Sequence, residues 1–209
     1  MFRIYAYPLG VFQTNGYVVI DEESGKGLVI DPGYEPKEVV ERIQSCEVVA
    51  VLLTHGHLDH IAGLKEIRAQ TNAPIYIHEK VADWLTDPEL NRSAMMPQLG
   101  DPIVGPAADR LITGDGEIDL SPFRVRVLCT PGHTPGCVSF LLEQVLFSGD
   151  CLFCESVGRT DLPGADFATL ENSIRQQLYT LPEPTLVLPG HGRQTTIGHE
   201  KLHNPFVTV

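Results

Sequence analysis

Short runs of Val, Ile, Leu and Phe recur along the chain and stop at Gly, Pro or Asp. This pattern predicts many brief strands joined by tight turns. Such runs lie at Phe2 to Tyr7, Tyr17 to Asp21, Leu28 to Asp31, Val48 to Thr54 and Ile75 to His78. Others lie at Phe123 to Cys129, Cys137 to Leu142, Val145 to Ser148 and Thr185 to Leu188. Three stretches carry helical spacing instead. Pro36 opens one, with Val39, Val40 and Ile43 on a shared face. A second follows Asp59 through Ile61, Leu64 and Ile67. A third starts at Asp166, a plausible N-cap, and runs through Phe167, Leu170, Ile174 and Leu178. The segment from Asp87 to Asp109 holds Pro88, Pro97, Pro102 and Pro106, and reads as an irregular loop.

Four apolar runs lead straight into a residue that could bind a metal: Asp31, His55, Asp150 and His191. One such ending is an ordinary turn. Four of them predict ligands gathered where strands end, which is where sites on sheets are usually assembled.

Composition narrows the possibilities. The 209 residues are 43% hydrophobic and 20% charged, enough for a sizeable core without a disulfide framework. No linker, repeat or low-complexity tract stands out, so residues 1–209 read as one domain. The formal net charge of −12 and the lack of a Lys/Arg cluster argue against nucleic acid and anionic membrane as partners. Five cysteines and no basic, apolar leader point to a reducing compartment, so the expected location is the cytoplasm. No apolar stretch approaches the roughly 18 residues of a membrane span. Oligomeric state is not readable.

The densest chemistry is His55-Gly56-His57-Leu58-Asp59-His60. A lone histidine is usually an ordinary polar residue, but three with an aspartate in six positions are not. His55 and His57 are two apart and share a side of an extended segment. Asp59 and His60 start the following helix and turn away from that pair. This spacing suits two adjacent metal positions, and imidazole and carboxylate ligands suit zinc, iron or manganese. Further ligands are available in Pro131-Gly132-His133-Thr134-Pro135-Gly136, in Ser148-Gly149-Asp150 and in Pro189-Gly190-His191-Gly192. Cys151-x-x-Cys154 has redox spacing but no thioredoxin-like context, and reads as inert thiols. His78, His199 and His203 read as ordinary polar residues.

The ordered set of motifs, HxHxDH, Gly-His-Thr-Pro-Gly, Gly-Asp and Gly-His, resembles the metallo-β-lactamase superfamily over essentially the whole chain. The resemblance implies a four-layer αββα sandwich and two divalent metal ions. One would be held by His55, His57 and His133, and the other by Asp59, His60 and His191. Asp150 would bridge them, and Asp31 would orient ligands from behind. The aspartate at 150 and the full Asp59-His60 pairing, with Gly158-Arg159-Thr160-Asp161 and His203-Asn204-Pro205-Phe206-Val207, look like the glyoxalase II branch. Full-length glyoxalase II has a C-terminal helical extension whose basic residues grip glutathione. Nothing after His191 here reads as that extension, so the thiol moiety stays open.

The implied activity is hydrolysis of a small-molecule thioester such as S-D-lactoylglutathione by a metal-bridging hydroxide. Asp59 would orient the water and accept its proton, and Arg159 would anchor a substrate anion. Three alternatives stand beside it. A persulfide dioxygenase of the same superfamily would use one iron at His55, His133 and Asp150. A hydrolase could act on another substrate, such as a lactone. A non-catalytic module would be expected to have lost ligands, and none is lost.

Overall fold

The computed structural model describes residues 1–208, which form two compact units, one from Met1 to Ile112 and one from Thr113 onward. In the first unit, β1 (Phe2–Leu9), β2 (Thr14–Asp21) and β3 (Lys26–Ile30) precede helix α1 (Lys37–Ile43). Then come β4 (Glu47–Leu52), the single turn α2 (Leu58–Ile61), α3 (Leu64–Gln70), β5 (Ile75–His78) and β6 (Arg110–Ile112). The six strands make one sheet in sequence order, β1-β2-β3-β4-β5-β6. The first pairings are antiparallel, while β3, β4, β5 and β6 run parallel. Val29, Val51 and Ile75 from the sheet pack with Val39 and Ile43 of α1 and Leu64 and Ile67 of α3. Side chains buried this fully contribute about 1.5–3 kcal/mol each.

In the second unit, β7 (Gly116–Leu120), β8 (Phe123–Cys129), β9 (Val138–Leu142) and β10 (Val145–Gly149) form an antiparallel meander. A small hairpin of β11 (Leu152–Phe153) and β12 (Ser156–Val157) follows, then α4 (Phe167–Ser173). The chain closes with β13 (Leu186–Pro189), β14 (Thr195–Thr196) and α5 (Ile197–His203). The sheet order is β14-β13-β10-β9-β8-β7, with β13 parallel to β10. Its core joins Leu128, Leu146 and Val187 to Leu170, Ile174 and Ile197. The expected cap is present: Asp166 Oδ2 accepts from the Thr169 amide at 2.7 Å, and the helix runs on as a π turn, Ile174–Leu178.

One expected helix is two. The periodicity after Asp59 predicts a continuous helix, but the chain breaks at Ala62-Gly63 between α2 and α3. The cause is tertiary. The Gly63 amide donates to the Pro32 carbonyl at 2.8 Å, and a Cβ on Gly63 would lie 2.6 Å from the Gly33 carbonyl oxygen. The Asp87 to Asp109 segment is irregular as expected, apart from short 3₁₀ turns at Ser93–Met95 and Pro97–Leu99.

Parallel pairing explains why ligand-type residues cluster by pairs. Strands β3 and β4 run the same way, so Asp31 and His55 follow their ends on one edge of the first sheet. Strands β10 and β13 do the same, with Gly149 opposite Pro189, so Asp150 and His191 follow on one edge of the second. No helix among the described residues is long and apolar enough to cross a membrane.

Candidate metal centre

In the first unit, Asp31 organises the HxHxDH segment. It is buried and sits in the left-handed region at φ 47°, a conformation that Asp tolerates better than most residues. Its Oδ1 accepts from the Thr54 amide at 2.8 Å. Its Oδ2 accepts from Thr54 Oγ1 at 2.6 Å, and His60 Nδ1 lies 2.9 Å from the same oxygen. A carboxylate only accepts, so His60 carries its proton on Nδ1 and turns the Nε2 lone pair outward. The same accounting fixes His55. Thr54 Oγ1 has one proton, and the carboxylate takes it. At 3.1 Å from His55 Nδ1 the hydroxyl therefore accepts, which leaves His55 Nε2 as a lone-pair donor for a metal.

The other two members are placed by packing. His57 ends the loop before α2, with its ring centroid 4.9 Å from that of His55 and 5.3 Å from that of Trp84. Gly56 makes room for this, since a Cβ there would lie 2.8 Å from Trp84 Cβ. Asp59 is held from β2: Thr14 Oγ1 donates to its Oδ2 at 2.7 Å, both groups being buried. The same Asp59 oxygen lies 3.5 Å from His60 Nε2.

In the second unit, His133 sits in the Pro/Gly loop after β8. Its Nδ1 lies 2.8 Å from the main-chain oxygen of Arg159, which can only accept, so Nδ1 carries the proton and Nε2 the lone pair. Asp150 follows Gly149, itself at φ 50°. Asp150 Oδ2 lies 3.6 Å from His133 Nε2 and 3.5 Å from His191 Nε2. Gly158 of the hairpin backs this arrangement. A Cβ on it would fall 1.9 Å from the Asp150 carbonyl oxygen and 3.2 Å from His133 Cβ.

These separations suit metal ligands. Two N or O ligands about 2.0–2.1 Å from a tetrahedral ion stand about 3.3 Å from each other. The pairs His60–Asp59, His133–Asp150 and His191–Asp150 all lie at 3.5–3.6 Å. Asp150 Oδ2 stands near both imidazoles at once. The donor set is imidazole and carboxylate throughout, with the ring tautomers of His55, His60 and His133 set by hydrogen bonds, and it fits divalent zinc, iron or manganese.

The structure brings His55, His57, Asp59 and His60 together with Asp31 in one unit. It brings His133, Asp150 and His191 together in the other. The Arg159 guanidinium makes two 2.7 Å hydrogen bonds to Asp161 and is largely exposed. That contact holds the Asp161 carboxyl down at about 2. The part of Arg159 that touches a ligand is its main-chain oxygen. Thr14, Thr54 and Gly158 are contributors that sequence reasoning passed over. The only signal for Gly158 was its place in the Gly-Arg-Thr-Asp stretch, and nothing marked Thr14. All five cysteines are free thiols. Cys151 is fully buried, and burial raises its thiol well above the usual range.

With this geometry in hand, comparison with known proteins is decisive at the level of family. A model of the metallo-β-lactamase superfamily matches residues 9–191. The chain belongs to that superfamily and has its fold, the αββα class expected from the motif order. Among relatives, it is 42% identical to a probable metallo-hydrolase, YqgX, of Bacillus subtilis, covering 96% of this chain and 95% of that one. It is 36% identical to the hydroxyacylglutathione hydrolase GloC of Haemophilus influenzae, covering 98% of each. Among solved structures, the BLEG-1 B3 metallo-β-lactamase superposes with TM-score 0.93 at 41% identity, over 99% of this chain and all of that one. TTHA1623 in a di-iron-bound form gives 0.81 at 35% identity, over 97% and 100%. ETHE1 from Myxococcus xanthus gives 0.77 at 28% identity, over 98% and 83%. The protein is thus of the metallo-hydrolase class, in a superfamily whose members bind divalent metals.

Proposed function

We propose that the protein is a dinuclear metal-dependent thioesterase acting on small acyl-thiol substrates of the S-D-lactoylglutathione type. The observation that carries this reading is Asp150 Oδ2, set 3.6 Å from His133 Nε2 and 3.5 Å from His191 Nε2. On this reading His55, His57 and His133 would hold one ion, Asp59, His60 and His191 would hold the other, and Asp150 would serve both. The relationship to a hydroxyacylglutathione hydrolase, end to end at 36% identity, supports the substrate class. The five free thiols fit a reducing, cytoplasmic setting.

When bound, the ions lower the pKa of a water toward neutrality and polarise the substrate carbonyl. The chain supplies the rest. Asp59 is the proton acceptor for the attacking water. Thr14 takes up one lone pair of its Oδ2, which fixes the carboxylate plane. Asp31 keeps His60 in the tautomer that presents Nε2, and Thr54 does so for His55. The departing thiol has a pKa near ~8.5, so it leaves as thiolate without a dedicated acid. That matches a site built from ligands and their supports.

The second reading is a mononuclear-iron persulfide dioxygenase. The likeness to ETHE1 from Myxococcus xanthus favours it. The likeness to BLEG-1 adds a β-lactam as a substrate to be assayed. One experiment separates them: metal content of the purified protein, with parallel assays of S-lactoylglutathione hydrolysis, β-lactam hydrolysis and oxygen uptake on glutathione persulfide. Two ions per chain and thioester turnover are expected. One iron with oxygen consumption selects the dioxygenase, and turnover of the β-lactam alone rejects the thioester assignment.

A further inference from the structure

A second group of metal-type residues, sharing no member with the ligands above, lies at the turn of the hairpin. Cys154 and Glu155 form the turn between β11 and β12, and His199 lies in the first turn of α5. One donor atom from each falls within 4.8 Å of the other two. Cys154 and His199 border a cavity of about 360 Å³ whose walls include Arg193, Thr195 and Thr196.

Two features separate this group from an incidental surface cluster. It is held from beneath. Glu200 is fully buried and receives Thr195 Oγ1 at 2.6 Å, the Glu155 amide at 2.9 Å and Asn204 Nδ2 at 2.9 Å. Asn204 Nδ2 also donates to the Ser156 carbonyl at 3.1 Å, so the hairpin turn is clamped to the helix that carries His199. The turn keeps Glu155 at φ 55°, a conformation disfavoured for Glu that a clamp of this kind sustains. The cluster also already surrounds a cation. The Arg193 guanidinium donates from Nε to Cys154 Sγ at 3.1 Å and approaches Glu155 Oε1 at 3.4 Å, and His199 Nε2 meets the same oxygen at 3.0 Å. Sulfur and carboxylate thus converge on one positive charge, carried by a side chain that is 75% exposed and able to swing into water.

We propose that Cys154, Glu155 and His199 form a peripheral site for a thiophilic divalent ion of the zinc type, with Arg193 as the built-in cation that the ion displaces. One thiolate, one imidazole and one carboxylate give three ligands, which leaves a fourth position to water in a tetrahedral set. Thiolate selects zinc over magnesium or calcium. Binding breaks the Cys154 S–H bond, forms a sulfur–metal bond and releases one proton to solvent, while the guanidinium moves outward. Ligand atoms need to close to about 3.5 Å from one another. Side-chain rotation supplies that movement on a backbone that stays clamped. The site is independent of the catalytic reading, whose ligand set contains no sulfur.

That difference in donors provides the test. The metal-loaded protein is titrated with Co²⁺, and thiolate-to-cobalt charge transfer is followed in the near ultraviolet. A nitrogen–oxygen centre gives no such band. The expected result is a band saturating at one equivalent. It should vanish in Cys154→Ser and shift to at least about tenfold higher Co²⁺ in His199→Ala. In Arg193→Ala it should saturate at about tenfold lower Co²⁺, because the competing cation is gone. Bound Zn²⁺ should also protect Cys154 from alkylation, read by peptide mass. Cys154→Ser should keep wild-type melting behaviour and hydrolytic turnover. Absence of the band, its persistence in Cys154→Ser, or unchanged affinity in Arg193→Ala overturns the proposal. Loss of turnover in a folded Cys154→Ser would move the residue into the catalytic centre and equally overturn it.

Discussion

Thr54 Oγ1 gives its single proton to Asp31 Oδ2 across 2.6 Å and receives one from His55 Nδ1 at 3.1 Å. A threonine hydroxyl therefore couples a buried carboxylate to the tautomer of a proposed metal ligand. Thr54→Val keeps the shape and deletes both contacts. Metal affinity should fall by about 10–100-fold, the usual cost of losing a partner behind a ligand. Competition with a chromogenic chelator reads the change. Thr54→Ser should retain most of the affinity.

Asp31 accepts from two groups of Thr54 and one of His60, so its replacement has a sharper consequence. In Asp31→Asn the amide group presents N–H where a donor already points. Each buried contact left unmade costs about 1–3 kcal/mol. The expected outcome is a lower melting temperature together with loss of metal, measured on the same preparation. Wild-type melting would show that the network is not under the load described.

Thr14 provides a test of Asp59 without touching a ligand. Thr14→Val should lower kcat by about 10–100-fold and weaken metal retention. Thr14→Ser should restore both. A variant that loses kcat with full metal content would assign Thr14 to proton transfer through Asp59 rather than to metal binding.

Gly158 has no room for even one carbon, since a Cβ would meet the Asp150 carbonyl oxygen at 1.9 Å and backbone cannot yield cheaply. Gly158→Ala should destabilise the protein by about 3 kcal/mol or more and reduce its metal content. Denaturant unfolding and metal analysis check both. Neutral behaviour would mean that the hairpin moves freely against Asp150.

Tyr179 sets an alkaline limit on stability. Its hydroxyl donates to the carbonyls of Glu200 and Val207, and burial, with the charge of Glu200 adding to it, pushes its pKa up to about 12. The unfolded value is near ~10. A raised folded pKa means that the contribution is whole below pH ~10 and drains away as pH rises toward about 12. Melting temperature against pH should fall in that window, and Tyr179→Phe should flatten the fall.

Much of this architecture is written in the apolar pattern. Ile75–His78 and Phe123–Cys129 are strands with the bounds that the sequence predicts, because apolar residues fill most of their buried positions and are sharply delimited. Arg110–Ile112 and Gly116–Leu120 escape notice because most of their residues face solvent. Helix α5 buries only Ile197 and Glu200, too little to make a periodic stripe. The break at Gly63 depends on Pro32 and Gly33, about thirty residues away in sequence and beyond the reach of local patterning. The metal-type residues were legible because His and Asp in dense spacing are rare for any other reason. Thr14, Thr54 and the Arg159 carbonyl were not, because ordinary residues acquire these duties only through tertiary contact.

The main-chain contact from Arg159 to His133 has an evolutionary consequence. A carbonyl is common to every amino acid, so His133 is steadied whichever side chain stands at position 159. The side chain is thereby released to drift, and with it the partner at Asp161. A saturation library at these two positions should yield variants that keep their ions while differing in which acyl donors they accept.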